Sequence, residues 1–164
     1  MNVISTRVRS DFQQVRLRAI LNRIWEVVSG RPTGLLPFDE IKKKCRIGNS
    51  VNRGIRTIKL RQIIGSLNRP RDFDRSFRPT SDAASQRWQR VDCAFYKDIH
   101  LPPVELYKVG ESYFVVDGHH RISVARQQGQ VFIEAEVREF NKMVDITPSM
   151  KQKELEMPCT LPTF

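Results

Sequence analysis

Apolar residues recur at Val8, Phe12, Val15, Ala19, Ile24 and Val28, three to five positions apart, which predicts one amphipathic helix over residues 6–29. Ser5 or Ser10 is the expected cap, and Gly30-Arg31-Pro32 the stop. A second, short helix opens at Pro37 with Asp39 and Glu40 in its first turn, and it closes in Lys42, Lys43 and Lys44. Residues 54–60 alternate apolar and polar, the pattern of a half-buried strand. The longest helical stripe after the first is Ala84, Trp88, Val91 and Phe95, within a helix expected over 81–99 and capped by Thr80 or Ser81. Residues 104–109 and 112–116 read as two strands of a hairpin turning at Gly110-Glu111. Val131, Ile133, Ala135 and Val137 share one face of a closing strand. Beyond residue 140 the periodicity is lost.

This pattern predicts an α+β fold: a small mixed sheet with packed helices, and a helical extension before it. The boundaries drawn from it are a basic helical extension over 1–53, a sheet domain over 54–140 and a loosely ordered tail over 141–164. All strands then fall within 54–141, and that fragment is expected to fold alone.

Charge divides the chain in the same way. The net charge is +10, and the first 62 residues hold 14 Lys or Arg against 4 Asp or Glu, whereas the remainder balances at 14 against 14. Such asymmetry suggests a basic element appended to a neutral domain. Arg16, Arg18 and Arg23 on the long helix, with Lys42, Lys43 and Lys44 on the short one, are the candidate nucleic-acid contacts. A solvated helix face would use the same residues. No apolar run approaches the ~20 residues of a membrane span, so no membrane partner is expected. Cys45, Cys93 and Cys159 stand far apart, with no zinc-type spacing. Free thiols and the lack of a signal-peptide core lead to the expectation of a cytoplasmic protein.

Candidate chemistry gathers where the strand 113–116 meets the helix that follows it. Asp117-Gly118 is turn chemistry, and Ile122 and Ala125 give helical spacing. The first amides of a helix have no internal partner and lie at the positive end of its dipole, which makes an anion site from backbone alone. Gly118 permits close approach of a ligand. Arg121 adds a forked donor, and His119 and His120 add imidazole donors. Upstream, residues 64–79 form a long segment in which Phe73 and Phe77 are interleaved with Arg69, Arg71, Arg75 and Arg78. Its arginines either face a phosphate or are neutralised by Asp72 and Asp74.

The run Val116-Asp117-Gly118-His119-His120-Arg121, followed by Val124-Ala125-Arg126, resembles the signature of the ParB/sulfiredoxin-like fold. ParB partitioning proteins carry Gly-Glu-Arg-Arg there, and sulfiredoxins Gly-Cys-His-Arg. The resemblance covers roughly residues 54–139, and Leu101-Pro102-Pro103-Val104 resembles the approach to the same hairpin in ParB domains. It implies a nucleoside triphosphate with Mg²⁺ as ligand, with Gly118, His119, His120 and Arg121 on the phosphates and Arg69 and Arg71 from the loop above them. Asp117 and His119 are the candidate catalytic residues: Asp117 to orient an imidazole or hold Mg²⁺ through water, His119 because it stands at the sulfiredoxin cysteine's place. That replacement argues against a sulfiredoxin reaction. The expected function is nucleotide binding in association with DNA. The alternatives are a small-molecule kinase like the free-serine kinases and a ParB-like nuclease. At 164 residues the chain is expected to lack the downstream helix-turn-helix and dimerisation domains of a full partitioning protein.

Overall fold

The computed structural model describes residues 2–141. The tail expected over 141–164 lies outside the described residues, Asn141 excepted. Four helices and six strands follow in the order α1 (Val3–Ser29), β1 (Leu36–Pro37), α2 (Phe38–Lys44), β2 (Ser50–Lys59), β3 (Ile63–Ser66), α3 (Ser85–Tyr96), β4 (Val104–Val109), β5 (Ser112–Asp117), α4 (His119–Gln127) and β6 (Phe132–Phe140). The strands make one mixed sheet in the order β1-β3-β5-β4-β6-β2. β4 pairs antiparallel with β5 as the hairpin requires, and parallel with β6. The α+β class read from the sequence is the observed one.

Strand alternation divides the core in two. Ile63, Leu106 and Val115 face one cluster, which α4 covers with Ile122 and Ala125. Ile64, Tyr107 and Phe114 face the other, which α2 covers with Phe38 and Ile41. A third cluster joins α1, α3 and α4 through Phe12, Val15, Trp88 and Val124. Trp88 is fully buried, and its indole N–H donates to Ser123 Oγ at 2.8 Å, so that N–H keeps a partner.

Four expectations change. Leu36, Phe38, Ile41 and Cys45 belong to the second cluster, and β1 is a strand of the sheet, so residues 36–45 are core rather than extension. A cut at Gly54 also divides β2, whose pairing with β6 begins at Ser50. Second, β2 is an edge strand exposed along most of its length, not half-buried. Arg53, Arg56 and Lys59 punctuate that edge, the usual protection against edge-to-edge pairing. Third, neither Thr80 nor Ser81 caps a helix from 81. A 3-10 turn over Asp82–Ala84 precedes α3, with no side-chain cap bond in either element, and Asp98 in a left-handed conformation (φ 52°) follows its end. At the other end of the chain Asn2, not Ser5 or Ser10, caps α1, accepting the Ile4 amide.

Candidate functional site

β5 ends at Asp117 and α4 begins at His119, so a single residue turns the chain from strand to helix. That residue is Gly118, at φ 103° and ψ 24°. A side chain there meets two obstacles: the conformation disfavours L residues, and a Cβ would lie 2.5 Å from Val104 Cγ1. The turn leaves the first amides of α4 facing a cavity of about 450 Å³. Asn68, Arg69, Arg87, Arg90, Asp117 and the whole Gly118-His119-His120-Arg121 run line it. Four arginines therefore meet one carboxylate in that lining. With the positive helix end beneath them, the wall suits a multiply charged anion.

The individual side chains play different parts from those the sequence suggested. His119 is 4% exposed, and its Nε2 bonds to Ser66 Oγ at 2.7 Å while its ring stacks on Phe73. The same Ser66 hydroxyl accepts the Arg69 amide at 3.0 Å, which fixes the start of the loop against the motif. His120 meets Phe73 edge-on, and its Nδ1 is buried without a hydrogen-bond partner. Burial, with Arg69 and a neighbouring His120 adding to it, lowers the His119 pKa to about 4. Burial and the charges of Arg69 and Arg87 bring His120 to about 4 as well. Both rings are neutral at pH 7; His119 supplies a hydrogen bond, and neither supplies charge.

Arg121 is committed to the protein. Nη1 donates to the carbonyls of Pro102 at 2.6 Å and Pro103 at 2.9 Å, and Nη2 to Asp117 Oδ2 at 2.8 Å. Its side chain is 16% exposed. It thus fastens the entry to β4 against the β5–α4 turn, and adds its charge to the cavity wall from behind. Asp117 keeps a 70% exposed carboxylate at the cavity mouth. Arg69 lines the cavity while paired with Asp72 at 2.9 Å. Arg71 does not line it: it opens onto a separate groove shared with Arg16, Arg23 and Glu26.

The 64–79 segment is held both by its aromatics and by its own acids. Phe73 and Phe77 are buried. Asp74 accepts the amides of Ser76 and Arg78, each at 2.9 Å, and its burial raises its pKa. Arg87 and Arg90 were missed by reading α3 only for its apolar face. Their signal was available: two cations three residues apart on the polar side of a helix whose Val91 touches the same cavity.

No protein-family model matches the chain, and no curated protein does. Among solved structures it is similar to sulfiredoxin from Arabidopsis thaliana, at 19% identity and a TM-score of 0.39. The match covers 52% of this chain and 84% of that one. An overlay that loose assigns no role to any residue here.

The six cations assigned to nucleic acid lie apart from the cavity and differ in environment. Arg16 is used internally: it pairs with Asp82 at 2.8 Å and donates to the Pro79 carbonyl at 2.9 Å. Arg18 is exposed and reaches Gln127 at 3.5 Å, while Arg23 is exposed beside the Arg71 groove. Lys42 and Lys43 are exposed and Lys44 half-buried on the outer side of α2. Among the described residues no helix is long and apolar enough to cross a membrane.

Proposed function

We propose that the cavity at the start of α4 binds a polyphosphate, specifically a nucleoside triphosphate with its Mg²⁺. The observation that carries this reading is the convergence of Arg69, Arg87, Arg90 and Arg121 on the free amides of one helix N-terminus. Arg87 and Arg90 are exposed and have the freedom to close on a phosphate. Beyond Arg121 the wall continues into a cleft of about 460 Å³ lined by Phe95, Leu101, Phe132 and Ile133, among others. An organic group on the phosphate has apolar surface to meet there, which favours a nucleotide over inorganic phosphate. Asp117 is the carboxylate available to a phosphate-bound Mg²⁺, which would neutralise charge on the ligand.

The test is calorimetry with ATP, CTP and GTP in the presence of Mg²⁺, with inorganic phosphate as the comparison. Each of Arg87→Gln and Arg90→Gln should weaken binding about tenfold, at the low end for a charge-assisted hydrogen bond, and leave the melting temperature of the free protein unchanged. A wild type that binds none of the nucleotides at millimolar concentration removes the reading. For a nuclease, the carboxylate count is unfavourable: among the described residues no three of His, Cys, Asp and Glu gather into a metal-holding group. DNA association is a separate proposal, supported by the exposure of Arg18, Arg23, Lys42 and Lys43.

A further inference from the structure

α1 is apolar on two opposite faces, one in each half of its length. In the first half Val8, Phe12, Val15 and Ala19 face the protein and are buried. The outer face there carries Thr6, Ser10, Gln13 and Gln14, all exposed. In the second half the arrangement reverses. Asn22 and Glu26 turn inward, to Asp74 and Thr33, and the outer face becomes Leu17, Leu21, Ile24 and Val28. At about 100° per residue the two stripes lie about 180° apart around the helix axis. Ile20, Trp25 and Val27 widen the outer stripe, and its seven residues are between 48% and 79% exposed. Nothing among the described residues covers them.

Leu17, Leu21, Ile24 and Val28 are spaced four, three and four residues apart, the alternation of a heptad seam. We propose that this stripe is a self-association surface, on which a second copy of the chain lays the same helix antiparallel. Three observations choose the second copy over another occupant. Turned end for end about a point between Leu21 and Ile24, the stripe is its own complement: Leu17 meets Val28 of the second copy, and Leu21 meets its Ile24. The flanking positions then set Ile20 beside the second copy's Val27, and Arg18 beside its Trp25, a cation over an indole. No like charges face each other, and the seam itself carries no charge by which an acidic or basic partner would be selected. Finally, α1 is already folded and docked through its inner face, so pairing does not have to nucleate a helix.

Sedimentation equilibrium of the full chain from about 1 to about 100 μM is expected to show a monomer–dimer equilibrium. Leu21→Glu with Ile24→Glu places four carboxylates at the centre of the pair and should leave a monomer at every concentration. Both side chains are exposed in the monomer, so its thermal transition at low concentration should persist. Orientation is read by cysteine pairs in a background with Cys93 and Cys159 changed to Ser. A mixture of Leu17→Cys and Val28→Cys proteins should form a mixed disulfide dimer on mild oxidation, while neither should cross-link to itself. A wild type that stays monomeric throughout overturns the proposal. So does a dimer that survives the double glutamate change, or one in which Leu17→Cys cross-links to itself. Monomeric protein that instead binds anionic lipid vesicles, with loss in the double variant, would assign the stripe to a membrane surface and overturn it equally.

Discussion

Three ionisable groups held away from water give the protein a pH profile whose parts have opposite signs. His119 and His120 titrate near 4 when folded, against an ordinary value of 6.5, so the folded state releases protons that the unfolded chain keeps. Their contribution is complete above about pH 6.5 and is lost as pH falls towards 4. Asp92 runs the other way. Burial raises its pKa from 3.8 to about 6, with Gln128 opposing through a 2.7 Å bond and the nearby Asp11 adding to the rise. The folded state therefore favours protonated Asp92, and its contribution declines as pH rises through 6. Asp92→Asn should raise stability at pH 7–8 by about 1 kcal/mol and have no such effect at pH 4. Melting temperature against pH for the two proteins checks this; equal curves would mean that Asp92 is not held in the protonated form. The two histidines show what the sequence made legible at this scale. Their place at a strand-to-helix turn follows from Gly118 and the apolar run before it. Their neutrality does not, because it comes from burial, to which Phe73 contributes, and from the charge of Arg69, many residues away in the chain.

Elements enclosed by the core were read correctly, and those that turn a face to solvent, β2 and the second half of α1, were not. The hairpin β4–β5 and the helix α4 follow from local alternation and spacing. In α1, by contrast, Ile24 and Val28 continue the spacing of Val8 and Phe12 in sequence but face outward. Periodicity counts apolar positions; it does not say where the covering surface ends. The boundary at 53/54 failed for a related reason. Charge asymmetry marked residues 1–53 as separate, while Leu36, Phe38 and Ile41, too few for a periodic signal, are buried beneath the sheet. A fragment over 54–141 removes these residues together with Phe12 and Val15, and uncovers Ile64, Phe114 and Trp88. Losing one such large buried side chain costs about 3–5 kcal/mol, comparable to the whole stability of a small domain. The fragment should show no cooperative thermal transition, as followed by circular dichroism, where residues 2–141 do. A sharp transition in the shorter fragment would mean that α1 and α2 are dispensable.

For the molecule as a whole, the excess of positive charge is distributed among different tasks. Part of it is internal, as in Arg16 with Asp82 and Arg53 with Glu139. The remainder on α1 and α2 underlies the DNA proposal. If Arg18, Arg23, Lys42 and Lys43 each neutralise a phosphate, duplex binding should fall with salt at a log–log slope of about −0.9 per contact, near −4 in all. Titration of a labelled duplex at several salt concentrations measures it; a slope near zero removes the proposal. The loop over 67–81 ties these parts to the cavity. Phe73 covers both histidines, and the next residue, Asp74, is bonded to Asn22 of α1 and bridges to Gly34. Arg75 donates its amide to the Thr33 carbonyl. The aromatic cover of the two histidines is thus anchored to the joint between α1 and β1. A chain nicked at that joint would keep every residue of the Asp-Gly-His-His-Arg run, yet would hold its histidines under a looser lid and let water reach them.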